Sequence, residues 1–404
     1  MRILMTGATG FVGSLLTEGL MAQGHDLCFA GRDMAQLQQK FPGKSVCDYD
    51  HISGHLQGVD LVLHMATLNN NRQGTEEQFF KANVTLLETI AQAAADAGVP
   101  RFVNFSSTHA LEDTNTTAYA RSKRAGVATL ALLNKPGYDT IYLPMVYGFK
   151  WAGKLARLNA LPPVLAGQLF GLLAALKPTV HSDQILREVI SPSPRADGQN
   201  WIVTDGQAHN WAYRIGARFL DLAFCVTIIG LLFWLLIAVW CVVRFTSKGP
   251  GLFVQDRVGR GGQVFKCWKF RTMYLETPQT GTHNVGAAST TRIGAFLRKT
   301  KIDELPQVKN LLCNEMSLIG PRPCLPTQIT LVDMRRDRGV LDIKPGISGL
   351  AQVQNIDMST PKKLANKDAQ YVRLRSLLFD IKLILSTAHG KGQGDLVAPS
   401  KPLS

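Results

Sequence analysis

The chain has 404 residues, 46% of them hydrophobic, and carries 44 lysines and arginines against 30 acids, a net charge of +14. This length and apolar content fit two or three folded domains and exclude a wholly disordered chain. So basic a surface suits nucleic acid, anionic lipid or phosphorylated substrates, and the charge total cannot choose among them. The seven cysteines form no CxxC and no Cys/His run in the sequence, which predicts reduced thiols in a cytosolic compartment and no zinc site. Arg2 leads at once into a strand pattern and a glycine-rich turn, so no secretory leader is expected.

In chain order, residues 1–205 alternate strand and helix patterns. Short apolar runs at 2–5, 27–30, 61–63 and 102–105 predict strands, and 14–23 and 84–97 predict helices between them. Alternation at this spacing predicts an α/β domain, a parallel sheet with crossover helices. The apolar stretch 161–176 is expected to pack in the core; lining a substrate lobe or touching a membrane are its other readings. His181 is expected to serve packing. The Ser- and Pro-rich run 191–198 predicts a loop near the end of this domain, and 201–204 a short strand.

Residues 206–218 read as a linker and an amphipathic lead-in. Residues 219–243 are apolar, with Asp221 as the single charge. A straight helix of that length measures roughly 37 Å, more than a hydrocarbon core of about 30 Å. A membrane segment is therefore expected rather than the buried helix of a soluble core. Arg214 and Arg218 precede it and Arg244 and Lys248 follow it, so the flanking charge gives no sidedness. Residues 244–404 are basic and punctuated by turns such as Gly320-Pro321-Arg322-Pro323 and Lys344-Pro345-Gly346.

The first strand runs into Thr6-Gly7-Ala8-Thr9-Gly10-Phe11-Val12-Gly13, which opens the first helix. Glycines there let the backbone approach a pyrophosphate, and the helix N-terminus offers unpaired N–H groups. Strand before and helix after make this a dinucleotide site. The second strand ends in Gly31-Arg32 rather than an acid, which favours the 2′-phosphate of NADP(H) over NAD(H). Tyr119 and Lys123, four apart, share a helix face. The ammonium can lower the phenol pKa and hold a ribose, and Ser107 can orient a carbonyl.

Gly7, Gly10, Gly13, His64-Met65-Ala66, Asn83, Ser107, Tyr119, Lys123 and Tyr147-Gly148 resemble the extended short-chain dehydrogenase/reductase family, the sugar-nucleotide epimerases, dehydratases and ketoreductases. The resemblance covers about 1–205 and implies that Thr9, Phe11, Val12, Met65, Ala66 and Asn83 line the cofactor. The spacing from Ser107 to Tyr119 is short for the family, and Leu111 stands where a tyrosine is usual. An active reductase and a cofactor-binding regulator both stay open.

In the third segment, adjacent Asp303 and Glu304 repel one another unless cations flank them. Lys269, Arg271, Arg298, Lys299 and Arg322 supply charge for phosphates. One or two carboxylates with phosphate oxygens is the usual magnesium arrangement and suits phosphoryl transfer. Four motifs, around Lys269-Phe270-Arg271, Ile302-Asp303-Glu304-Leu305-Pro306, Gly320-Pro321-Arg322-Pro323 and Lys344-Pro345-Gly346-Ile347-Ser348-Gly349, resemble the bacterial sugar transferases, the monotopic polyprenyl-phosphate phosphoglycosyl transferases.

That resemblance runs from about 214 to 387. It implies that Asp303 attacks the β-phosphate of a UDP-sugar, that UMP leaves, and that undecaprenyl phosphate then takes the phosphosugar. Glu304, with Asp303, would bind Mg2+; Lys269, Arg298 and Arg322 would hold phosphates; Asp368 would help the lipid phosphate or the metal. Leu350 and Asn355 depart from the family pattern at positions that bear on the sugar.

Both halves then need cytosolic substrates, which a single span across the bilayer forbids. A re-entrant helix, broken near Thr227 or Gly230, satisfies the condition. It would put both globular domains on the cytoplasmic face of a bacterial inner membrane. The expectation is a bifunctional enzyme of surface-glycan assembly whose partners are a UDP-sugar, undecaprenyl phosphate and the lipid bilayer. Nucleic acid is not expected, since no aromatic-basic face is evident, and a homo-oligomer stays open.

Overall fold

The computed structural model describes residues 1–404 apart from 70–73, 136, 150, 152, 192–200, 276, 278–288, 391 and 393–404. The chain forms two compact units: Met1–Ala166 with Pro178–Asp205, and Gly167–Lys177 with Gly206–Ser404. The expected loop at 191–198 falls almost wholly outside the described residues.

The first unit is built on β1 (Arg2–Thr6), β2 (Asp26–Ala30), β3 (Ser45–Cys47), β4 (Leu61–His64), β5 (Arg101–Ser107) and β6 (Tyr138–Leu143). A short parallel pair, β7 (Met145–Tyr147) and β8 (Thr179–His181), lies outside the main sheet, and β9 (Trp201–Ile202) closes its edge. The main sheet is parallel, in the order β3-β2-β1-β4-β5-β6-β9. Strand order reverses between β1 and β4, and the crevice at such a switch point is where α/β sheets bind ligands.

Helices α1 (Phe11–Ala22), α2 (Met34–Lys40), α3 (Glu76–Phe80), α4 (Leu86–Asp96), α5 (Ala118–Leu132), α6 (Pro163–Leu176) and α7 (Ser182–Ile190) connect these strands. Side chains alternate across the pleat. Ile3, Met5, Phe29 and Leu63 enter one core layer with α1 and α7; Leu4, Cys28, Val62 and Phe102 enter the other with α4. Both faces are covered, which explains strands that read as unbroken apolar runs. Polar caps start the helices: Asp33 accepts from Gln36 N at 2.9 Å, and Thr117 accepts from Ala120 N.

The second unit contains α8 (Trp211–Thr246), the antiparallel pair β10 (Leu252–Val258) and β11 (Val264–Phe270), α9 (Arg292–Thr300) and α10 (Val308–Leu312). The parallel pair β12 (Ser317–Ile319) and β13 (Gly346–Ser348) brackets α11 (Ile329–Asp337), and α12 (Leu350–Val353), α13 (Pro361–Leu374) and α14 (Leu377–Ala388) follow.

Helix α8 is 36 residues long and unbroken. The break expected near Thr227 or Gly230 does not occur. No proline interrupts the run, a helical glycine costs only about 1 kcal/mol, and Thr227 Oγ1 donates back to Ala223 O at 2.9 Å, a bond made within the helix. Only 17% of its most apolar window is buried, unlike the mostly buried core helix of a soluble domain. One narrow stripe packs inward. Cys225 and Ile228 join Cys267, Leu311 and Met316, and further along Val243 meets Phe270 and Leu297. The lone acid, Asp221, is buried, with its Oδ1 accepting from Leu318 N at 2.7 Å and Ser317 Oγ at 2.9 Å.

The stretch 161–176 is not the core segment expected. It forms α6, most of which packs with the second unit while Val164, Leu165, Leu169, Leu172, Leu173 and Leu176 are exposed. His181 does serve packing: its ring meets Tyr147 and Phe149, and its side chain caps α7.

Candidate active sites

In the second unit, α9 ends at Thr300 and Lys301 turns the chain through a left-handed conformation (φ 58°). A left-handed non-glycine residue is uncommon and costs of order 1 kcal/mol or more, a strain that tends to mark functional turns. The short 3-10 helix Ile302–Gln307 follows and holds Asp303 and Glu304, each less than a tenth exposed. Glu304 Oε1 accepts from Lys269 Nζ at 2.9 Å and from Arg322 at 2.8 Å. Burial alone would raise the Glu304 pKa, but Arg322 and Lys269 overcome it and hold the carboxyl well below its usual range. Asp303 moves the other way, up to about 6. Burial is the largest cause and the Glu304 charge the next, against the pull of Lys269, Arg322 and Arg298. Two adjacent acids are thus pushed apart, one a fixed anion and one close to its titration point.

Both acids line a cavity of about 730 Å³. Lys269, Arg298 and Arg322 line it with them, and Phe224, Ile347 and Ile384 give it an apolar wall. Arg298 Nε donates to Thr272 Oγ1 at 2.9 Å. Arg271 also reaches the lining, but its guanidinium donates to the carbonyl oxygens of Ser247 and Lys248 and to Ser247 Oγ. It therefore caps the C-terminus of α8, where a cation is favoured, rather than pointing donors at a phosphate.

Asp368 does not join the cavity. Its Oδ2 takes Arg335 Nε at 3.0 Å and Arg335 Nη2 at 2.7 Å, with both side chains buried. Arg335 Nη1 in turn donates to Arg322 O at 2.9 Å, and Arg257 donates to Pro323 O at 2.9 Å. Asp368 thus acts two bonds away, by fixing the loop that presents Arg322. Arg257, Arg335 and the Asp221 anchor are structural supports of these loops that the sequence reading missed. The signal available for Asp221 was its isolation, since a lone acid in an apolar helix needs a partner.

For a metal, Glu304 Oε2 and the Asp303 carboxylate remain as hard oxygen donors once Oε1 is committed to its two cations. Two carboxylates beside a cation-lined cavity fit magnesium, which keeps several waters and substrate oxygens.

In the first unit, Gly7 has φ +71°, and a Cβ there would lie 2.7 Å from Ala66 N. This close approach puts the turn against Met65 and Ala66, whose N–H groups reach Thr6. A Cβ on Gly13 would sit 2.3 Å from Gly7 O. Gly10 caps α1 with no side chain, so the helix end lies open beside Thr9, Phe11 and Val12, a cradle fit for a pyrophosphate. Arg32 is exposed just past β2, and Asp33, the nearest acid, is engaged as the α2 cap. Asn83 is buried and wholly occupied: Oδ1 accepts from Thr67 Oγ1 and Leu68 N, and Nδ2 donates to Ser122 and Leu68 O. It shapes the 67–68 loop.

Helix α5 brings Tyr119 beside Ser107. Lys123 is buried and donates to Phe105 O at 3.0 Å, and burial lowers its pKa to about 7. The expected lowering of the Tyr119 phenol by this lysine is not found. Burial raises the phenol, opposed by the Ser107 hydrogen bond.

Beside the sheet edge, Cys28 of β2 and Cys47 of β3 meet His55 from the short helical turn Ile52–His55. Ligand atoms of Cys28, Cys47 and His55 lie within 4.8 Å of one another, a Cys/His group that linear spacing had excluded.

Residues 212–391 match the bacterial sugar transferase family and residues 3–147 the NAD dependent epimerase/dehydratase family. A UDP-glucose:undecaprenyl-phosphate glucose-1-phosphate transferase of Caulobacter vibrioides is 34% identical over 42% of this chain and 67% of its own length. The uncharacterized sugar transferase EpsL of Bacillus subtilis is 35% identical over 40% of this chain and 78% of its length. The galactosyl transferase CpsE of Streptococcus agalactiae is 35% identical over 47% of this chain, which spans only 45% of that protein. The chain belongs to the bacterial sugar transferase family. It is a fusion, an epimerase/dehydratase domain of Rossmann type joined through a long apolar helix to the transferase domain.

Proposed function

We propose that the second unit transfers a phosphosugar from a UDP-sugar to undecaprenyl phosphate, with release of UMP. The observation that carries this reading is the cavity itself. It joins a buried acid pair and three cations to an apolar wall, so one site can receive a diphosphate and a lipid phosphate together. The glucose-1-phosphate transfer to undecaprenyl phosphate for which the Caulobacter relative is named points the same way.

In the first step a carboxylate oxygen of Asp303 bonds to the β-phosphorus, and the bond from that phosphorus to the bridging oxygen breaks. UMP departs with the bonding electrons. An oxygen of the lipid phosphate then bonds to the same phosphorus and Asp303 leaves, its carboxylate restored. Lys269, Arg298 and Arg322 oppose the charge that grows on the phosphoryl oxygens. Asp303 and Glu304 would hold Mg2+, which when bound neutralises part of the diphosphate charge. Cytosolic UDP-sugar places the reaction on the cytoplasmic face of the bacterial inner membrane.

The first unit, in this proposal, binds NADP(H) through the Gly7–Gly13 turn and Arg32. It reduces a UDP-4-keto sugar, with Ser107 and Tyr119 at the carbonyl. NADP(H), when bound, supplies the hydride. The product would pass to the transferase. A specific observation favours a second reading, in which this unit binds the cofactor without turnover: the Tyr119 phenol is raised, and Lys123 is buried against Phe105 O.

The test is purified full-length protein with polyprenyl phosphate, Mg2+ and a panel of UDP-sugars, with and without NADPH. UMP release and a lipid-linked sugar are expected, and D303N should abolish both. UMP release at the wild-type rate from D303N removes Asp303 as the nucleophile. NADPH oxidation with a UDP-4-keto sugar selects the reductase; tight NADPH binding without oxidation selects the second reading.

A further inference from the structure

Helix α6 lies in a stretch that neither family match covers, between residues 147 and 212. No charged residue occurs from Leu158 to Leu176. The helix is nevertheless not a core element: Leu169, Leu172, Leu173 and Leu176 are each between 37% and 46% exposed, while Phe170, Ala174 and Ala175 face inward. An apolar strip this continuous is unusual on a surface that meets only water.

What covers it follows from its neighbour. Residues 167–177 pack in the same unit as α8. Asn210, the cap of α8, donates to Gly171 O at 3.0 Å, and Gln207 donates to Ala174 O at 2.7 Å. Ala175 packs with Ala212 and Tyr213 at the start of α8. A Cβ on Gly171 would meet the Trp211 indole nitrogen at 3.5 Å, so that half-exposed ring sits over α6. Tryptophan at the head of an apolar helix marks the lipid–water boundary. The exposed leucines of α6 thus stand on a helix packed against the head of α8, whose own Ile215 and Phe219 are exposed.

Fourteen residues of helix measure about 21 Å, too short for a hydrocarbon core of about 30 Å. The helix cannot span. It can lie along the boundary, with the exposed Lys177 just past its C-terminal end reaching headgroups.

We infer that α6 is a second membrane element, lying in the plane of the bilayer interface beside the head of α8, with its Leu169, Leu172, Leu173 and Leu176 strip in the acyl boundary of an anionic membrane. This rests on the reading of α8 as a membrane helix. Its consequence is that the bilayer holds the second unit through two separate segments, α6 and α8.

The experiment uses the full chain with the accessible cysteines removed (C241S, C313S) and single NBD-labelled cysteines at Leu169, Leu172, Leu231 of α8 and Leu132 of α5. The proteins are reconstituted into liposomes of phosphatidylethanolamine and phosphatidylglycerol. The labels at 169 and 172 should emit at shorter wavelength than that at 132, resist aqueous iodide, and be quenched best by shallow doxyl lipid. The label at 231 should be quenched best by deep doxyl lipid. If 169 and 172 behave like 132 while 231 is shielded, the inference falls and α8 remains a membrane helix. If 231 is also open to iodide, the membrane reading itself falls. Shielding of 169 and 172 that appears in detergent and grows with protein concentration assigns the strip to a second copy of the chain and overturns the inference.

Discussion

At the residue scale the transferase site depends on asymmetry between neighbours. Glu304 is held ionised by two direct cations, and Asp303, raised first by burial and then by the Glu304 charge, sits near pH 6. Only the carboxylate can attack phosphorus. For the free enzyme, kcat/KM for UDP-sugar should therefore fall as pH drops through about 6, the limb reporting the raised Asp303. A profile flat down to pH 4 removes that assignment. Lys123 gives a second pH signature, in stability. The unfolded chain keeps this proton to about pH 10.4, whereas the folded one releases it near 7. Between those values the unfolded state binds more protons, so this group makes stability rise with pH. Thermal unfolding of K123M should show a smaller gain in Tm from pH 7 to 9 than the parent protein. Asp368 illustrates support from a distance. D368N leaves Arg335 buried without its counter-charge, a loss of about 3–5 kcal/mol. It should also slow transfer, because Arg322 loses its fixed carbonyl. Transfer and stability equal to the parent's would refute the role.

At the element scale, the short pair β12–β13 presents the Gly-Pro-Arg-Pro loop, and its tightness is set by glycine. A Cβ on Gly346 would fall 2.1 Å from Gly320 N, and one on Gly294 would fall 2.0 Å from Thr272 O. No side-chain rotation relieves a clash with backbone. G346A and G294A should each cost about 1–3 kcal/mol or more, read as a lower Tm in detergent, whereas G230A on the open face of α8 should not lower it, since nothing lies within 4 Å of that position. A loss of Tm in G230A as large as in G346A and G294A would refute the packing account. Element existence was legible where period and length were strong: β1, β2, β4, β5, α1 and α4 all occur close to their expected positions. Shorter strands such as β3, β12 and β13 were not, because three residues carry no period. The break in α8 was inferred from a topological need, and backbone chemistry at Thr227 and Gly230 does not produce it.

At the scale of the whole molecule, the placement of both ends of α8 against one folded unit bears on topology. Tyr213 Oη donates to Asp380 at 2.8 Å near one end, and Arg271 binds Ser247 at the other. A helix tied to the same unit at both ends need not be bent to leave that unit on one side of a bilayer. Single cysteines at Arg214 and Thr246, labelled in intact and permeabilised cells, should both react only after permeabilisation. Labelling of one but not the other in intact cells places the ends on opposite faces.

The sequence by itself determined the fusion, the glycine turn, the acid pair and the membrane character of 219–243, because each is written in local composition, periodicity or a short motif. Tertiary structure decided the rest. It assigned Arg271 to the end of α8, paired Asp368 with Arg335, drew Cys28, Cys47 and His55 together, and turned 161–176 outward. All four depend on which groups become neighbours when distant segments pack. Burial and pairing then decide whether a charge serves a substrate, a carbonyl or another charge, and no local pattern records that choice.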